Sequence, residues 1–278
     1  MTQTWLGFAL LFALQQAPVG TFGITSPTLH QFEDGPAIPA GHRFIPGETV
    51  FFSCQVQGYR ATPEQKVRLS YRVDAVDADG VLLAATDTGK IDTELAPQDK
   101  EWMPKIRRAV LIPPHAPPGQ YRIVATVKDE VGGQEAKTEL SFQVHGRRVE
   151  PSDTLVVRNF RFLRSELDDN PLPVAVYRPG NTLWARFEMT GFKIGEKNRV
   201  HVEYGIAILN PDGKQLFAQE QAAVEEDSPF YPKRYVPGQL SLNIQPKTPP
   251  GEYTLVVSVR DQVGDQTIET RQPFRVEE

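Results

Sequence analysis

A single cysteine, Cys54, stands in a chain of 278 residues, so no disulfide can form within it and no cysteine cluster can hold a metal. Positive charge is also in short supply. Thirty Lys and Arg face 35 Asp and Glu, which gives a formal net charge of −5 and a pI near 5.7. That balance withholds the global field that draws in nucleic acid or an acidic membrane surface, and no nucleic-acid partner is expected. After residue 20 no apolar run approaches the length of a bilayer span, and no helical periodicity recurs. Gly-x-Ser-x-Gly, His-Glu-x-x-His and phosphate-cradling glycine loops are all missing. His30, His42, His115, His145 and His201 are scattered, with no two at metal-ligand spacing. Neither a cofactor nor a catalytic activity is expected.

What the chain has instead is 24 prolines, 21 glycines and a long internal repeat. Pro117-Pro118-Gly119-x-Tyr121, followed by Ile123, Ala125 and Val127 and the turn Asp129-x-Val131-Gly132, returns as Pro249-Pro250-Gly251-x-Tyr253, Leu255, Val257, Val259 and Asp261-x-Val263-Gly264. Matching glycines, Gly119 and Gly251, stand 132 positions apart, and each copy ends on Phe-x-Val. The chain is therefore two copies of one domain. Earlier strands match as well. Val50, Phe52, Cys54 and Val56 answer Leu183, Ala185, Phe187 and Met189; Val67, Leu69, Tyr71, Val73 and Ala75 answer Val200, Val202, Tyr204, Ile206 and Ile208. Each of these runs alternates apolar and polar, the signature of a strand with one face buried.

The remaining stretches complete the plan. A first strand is expected at Thr28 to Phe32, and residues 84–100 and 218–227 read as loops or edge strands. Residues 1–20, with the apolar run Trp5 to Leu14 and then Gln-Gln-Ala-Pro, read as an export signal whose cleavage site stays open. The division that follows is a sandwich over residues 21–146, a polar linker over 147–153 and a second sandwich over 154–278. The expected fold class is all-β, two tandem immunoglobulin-like antiparallel β-sandwich domains after an N-terminal export signal, with seven or eight strands per copy.

Pro-Pro-Gly-x-Tyr opening a penultimate strand, with Asp-x-Val-Gly turning into the last, resembles bacterial immunoglobulin-like repeats and macroglobulin-type sandwich domains. The resemblance covers nearly all of the chain after residue 22. It implies that Tyr121 and Tyr253 are buried and bond back to the backbone upstream, as in a tyrosine corner. At the position where antibody domains carry a core cysteine the copies have Ile123 and Leu255, so no such bridge is implied.

Candidate chemistry is sparse. Cys54 lies on an apolar strand face and reads as core. Asp77-Ala78-Asp79-Gly80 and Asn210-Pro211-Asp212-Gly213 read as hairpin turns rather than calcium loops, since no bidentate glutamate follows. The constellation with a claim to recognition is aromatic and basic: Trp102, Lys105 and Arg107 in one copy, Phe230, Tyr231, Lys233, Arg234 and Tyr235 in the other. The shared dipeptides Pro104-Lys105 and Pro232-Lys233, 128 positions apart, set these segments side by side. Two readings stand for them, surface interaction sites or apolar groups that cap a sandwich and fill the contact between domains.

The function expected is that of an exported, non-catalytic binding or scaffold protein, periplasmic or extracellular, with a protein partner and no transmembrane span. One alternative is a carbohydrate-binding accessory module stacking a glycan on Trp102, Trp184 and Tyr231. Another is a two-domain periplasmic chaperone, which would hold a client strand beside a basic interdomain cleft.

Overall fold

Residues that alternate with a period of two must send one side chain of each pair inward, and the strands that result pair into four sheets. The computed structural model describes residues 21–99 and 101–278; the expected leader lies outside them. The first copy contributes β1 (Gly23–His30), β2 (Arg43–Phe44), β3 (Thr49–Gln57), β4 (Lys66–Val76), β5 (Asp87–Glu94), β6 (Lys105–Leu111), β7 (Gly119–Asp129) and β8 (Glu135–Val144). The second contributes β9 (Val156–Leu163), β10 (Val176–Tyr177), β11 (Thr182–Thr190), β12 (Val200–Leu209), β13 (Gln215–Asp227), β14 (Val236–Asn243), β15 (Gly251–Asp261) and β16 (Gln266–Val276).

Sheet β1-β3-β6 packs on β2-β8-β7-β4-β5, and β14-β11-β9 packs on β10-β16-β15-β12-β13. The long pairings are antiparallel; among the described residues only the two-residue strands β2 and β10 run parallel to their neighbours. The fold is thus two tandem immunoglobulin-like sandwiches, built to one plan. Inward residues of both sheets form each core, among them Val50, Leu69 and Ile123 in the first and Leu183, Val202 and Leu255 in the second. Cys54 is fully buried there, and burial pushes its thiol up to about 11.

Both hairpins carry the expected corner. The Tyr121 hydroxyl donates to the Pro117 carbonyl at 2.6 Å and the Tyr253 hydroxyl to Pro249 at 2.8 Å, with both rings buried. The following turn is held by a buried aspartate. Asp129 Oδ1 accepts from the Val131 and Gly132 amides, and Oδ2 accepts from the Arg60 backbone amide on the far connection. Asp261 repeats this with the backbone amides of Val263, Gly264 and Lys193. For Tyr253→Phe we expect a loss of about 0.5–1.5 kcal/mol, the net worth of one such bond, and for Tyr253→Ala about 3–5 kcal/mol. Denaturant titration measures both, and a near-neutral alanine variant would contradict the buried ring.

The first strand departs from the sequence reading. It runs from Gly23 to His30, and residues 31–34 turn. Ser26 takes a left-handed backbone (φ 51°) and the register against β3 shifts between Thr25 and Thr28, so the bulge hides the alternation that would have marked the strand earlier. The two divergent stretches hold edge strands, β5 and β13.

Candidate functional site

Segment 228–235 leaves the edge strand β13 and enters β14, and its shape is fixed from several sides. The Asn198 side-chain amide donates to the carbonyls of Pro229 and Phe230 (3.2 and 2.7 Å), Thr190 Oγ1 donates to the Arg234 carbonyl, and Lys233 is held by Glu225 and Asp227. So braced, the segment presents Tyr231 and Arg234 to the first sandwich. The Tyr231 hydroxyl donates to Asp77 Oδ2 at 2.7 Å, and Arg234 reaches the same oxygen at 2.9 Å while its other nitrogen meets Asp79 at 2.8 Å. The Tyr231 ring, 6% exposed, packs into the apolar core of the first copy.

Asp77 works in two directions at once. Its Oδ1 accepts the amides of Asp79 and Val81, closing the β4–β5 turn, and its Oδ2 receives the second sandwich. Burial, with Asp77 as acceptor, pushes the Tyr231 phenol far above its ordinary range, and burial pushes Tyr121 up to about 12. Both therefore stay protonated, and Tyr231 remains a donor. Alongside, the Tyr235 hydroxyl meets His115 Nδ1 at 3.2 Å. Burial first, then Lys233, pulls the His115 imidazole below its ordinary range. Arg147, between β8 and β9, pairs with the buried Glu188 of β11 at 2.8 Å, and Arg161 reaches the same oxygen at 3.2 Å.

Beside this contact runs an apolar groove of about 570 Å³. Leu111, Pro113 and Pro114 form one wall; Pro229, Phe230 and Pro232 form the other. Leu111 (52% exposed) and Phe230 (54%) stand open to solvent on opposite sides of it. The charged groups at its rim, Lys233 and Asp227, are paired with each other at 3.0 Å.

Trp102, Lys105 and Arg107 are not part of that cluster. Trp102 lies at the opposite end of β6 from Leu111, roughly 20 Å or more away at ~3.3 Å per strand residue. Its ring meets Tyr59 edge-on, and Tyr59 bonds to its carbonyl. Lys105 and Arg107 both bind Asp34 (2.5 and 2.9 Å), which holds that carboxyl down at about 2. Pairing also corrects the correspondence between the segments. Cys54 faces Ile106 and Phe187 faces Gly238, so the register keeps an offset of 132 and Pro104 corresponds to Val236 rather than to Pro232. The shared Pro-Lys dipeptide had suggested a shift that the strands do not make.

Sequence reasoning missed Asp77, Glu188, Arg147 and His115. One signal was on view, the replacement of Asp77 by Asn210 in an otherwise repeated turn. It also missed a pair on the outer face of the first copy. His30 Nδ1 lies 2.8 Å from the Gly35 carbonyl, which can only accept, so in the neutral ring Nε2 accepts from Ser53 at 2.8 Å. Ser53 is 5% exposed, and the pair fastens the 31–35 turn to β3. Trp184 is half-buried between Leu163 and Ser241, far from any shared aromatic platform. Among the described residues no group of three or more His, Cys, Asp and Glu is placed to hold a metal, and no helix is long and apolar enough to cross a membrane.

No family model matches the chain, and no curated protein matches it. Among solved structures, it is similar to the C-terminal domain of the AgI/II polypeptide BspA of Streptococcus agalactiae, at 10% identity and a TM-score of 0.31, over 92% of this chain and 100% of that one. It is likewise similar to the C-terminal domain of the antigen I/II-family protein AspA of Streptococcus pyogenes, at 9% identity and a TM-score of 0.34, over 92% of this chain and 99% of that one.

Proposed function

We propose that the chain is an exported, non-catalytic binding module that engages another envelope or extracellular protein through the face at the junction of its two sandwiches. The observation that carries this reading is the double use of Asp77. One buried carboxylate closes a turn in the first domain and receives Tyr231 and Arg234 from the second, which joins the domains and leaves Phe230 held outward at their seam. A large apolar side chain kept exposed by a braced loop suits a protein interface, where aromatic anchors supply much of the binding energy.

The rival readings fit this junction less well. A glycan needs polar groups for its hydroxyls beside an aromatic platform; here Tyr231 is buried between domains, and Trp102 and Trp184 share no surface with it. A chaperone with a basic cleft needs free cations, and the groove's lysine is held by two carboxylates.

A photo-crosslinking residue at position 230, in the organism that makes the chain, tests the reading. A discrete protein adduct is expected, reduced by Asp77→Ala and unaffected by excess free glycans. An absence of adduct, or its suppression by sugars, would contradict it.

A further inference from the structure

The first wall of the groove ends on a strand whose outer edge is open. Among the described residues β6 pairs with β3 alone, and the sheet order β1-β3-β6 leaves its other side without a strand. Ile112, just past its end, both accepts from the Gly47 amide and donates to the Glu48 carbonyl, each at 2.9 Å. Amides and carbonyls alternate in direction along an antiparallel strand. Leu111 and Ala109 therefore turn their backbone donors and acceptors away from β3, toward the open edge, and among the described residues no backbone group bonds to them from that side. Residues 83–85 line the groove beside Leu111 and are tied to β6 through a side chain, the Arg108 guanidinium donating to the Ala85 carbonyl at 3.0 Å.

From this edge and the groove together, and resting on the proposed binding role, we infer that the junction takes an extended, uncharged segment of a partner protein as an added strand along the end of β6. Its backbone bonds to Ala109 and Leu111, and its apolar side chains enter the groove against Phe230 and the prolines. Each part of the occupant's chemistry follows from the walls. An open edge bonds any extended backbone regardless of sequence, and a pocket beside it selects alternate side chains. Apolar walls of leucine, phenylalanine and proline favour aliphatic or proline side chains over sugar hydroxyls. His115 is engaged by Tyr235, and Lys233 and Asp227 by each other, so a charged side chain would enter without a counter-ion. The volume, about 570 Å³, lies within the range of small-ligand pockets and suits a few residues rather than a folded domain. The groove is also continuous with the interface that joins the two sandwiches, since Tyr231 and Pro232 line it, so its shape depends on their docking.

Selection of a phage-displayed library of random nine-residue peptides on the intact chain tests this. Enriched peptides are expected to be uncharged, with apolar residues at alternate positions. The best of them, made synthetically, is expected to bind at least tenfold more weakly to Leu111→Asp and Phe230→Asp. N-methylation of its alternate backbone amides should weaken it comparably, whereas Leu167→Asp, at a residue 90% exposed elsewhere on the second copy, should leave binding unchanged. Circular dichroism of each variant establishes that it is folded. No enrichment, enrichment of charged peptides, or binding indifferent to both groove variants or to N-methylation would overturn the inference. A protein adduct at position 230 together with any of these results would leave the binding role standing and remove only the added strand; absence of both would remove both.

Discussion

Gly238→Ile is expected to destabilise the second sandwich by at least the upper part of the ~1–3 kcal/mol range for overpacking, and Phe187→Cys in the same chain is expected to return much of that loss. The two copies solve one packing problem in opposite ways. In the first, Cys54 on β3 faces Ile106 on β6; in the second, Phe187 on β11 faces Gly238 on β14. All four positions lie on the seam between the strands, and the large side chain has moved from one strand to the other. A Cβ built on Gly238 would run into the Phe187 ring, and that ring is fixed in turn, stacked on Phe160 at 5.8 Å and edge-on to Tyr204 at 5.1 Å. It has nowhere to move. Phe187→Cys alone should cost about 3–5 kcal/mol, as for a large aromatic truncated in a core. The pair restores the arrangement of the first copy, so the coupling should lie near the top of the ~0.5–3 kcal/mol found for residues in contact. Recovery should be incomplete, because Phe160 and Tyr204 lose their aromatic neighbour. Denaturant titrations of the four chains measure the cycle. A neutral Gly238→Ile, or a double variant as unstable as the sum of the singles, would contradict the packing.

Asp77→Asn should separate the two tasks of that carboxylate. The asparagine oxygen can still accept the turn amides, as Asn210 accepts from Lys214 at 2.8 Å in the second copy. Its amide nitrogen would then face the Arg234 guanidinium, donor against donor, and the Tyr231 hydroxyl, which would have to turn from donating to accepting. Breaking a buried pair costs about 3–5 kcal/mol. The lower end applies here, because Arg234 is 38% exposed on its side chain and keeps Asp79. We expect a loss of about 3 kcal/mol, felt as uncoupling of the domains rather than unfolding of either. One cooperative transition in the native chain should split into two. Asp77→Ala should do the same and also weaken the β4–β5 turn. An unchanged single transition in Asp77→Asn would show that the junction draws its strength from elsewhere.

Those two cases mark what the sequence could disclose. A repeat, a period of two and a Pro-Pro-Gly-x-Tyr hairpin were enough for the sandwiches and the buried Cys54, while both tyrosine corners followed from the resemblance that the hairpin carries. The junction was not legible because its partners are remote: Asp77 and Tyr231 are separated by 154 positions. Asp77 also satisfies a turn fully by itself, so nothing in its surroundings called for a second role. Pro104-Lys105 and Pro232-Lys233 misled for the opposite reason. The dipeptides match locally, while the register that places Pro104 with Val236 is set by pairing against β3 and β11. The bulge at Ser26 likewise broke the alternation on which the first strand's limits depend.

Whether the two sandwiches form one body, with the groove as part of it, is read most directly from a distance distribution by pulsed electron resonance between spin labels at Ser141→Cys and Thr267→Cys, exposed sites on β8 and β16, with the buried Cys54 left unlabelled. A single narrow distribution is predicted for the native chain, broadening in Asp77→Asn. A broad distribution in the native chain, unaltered by that substitution, would contradict the account.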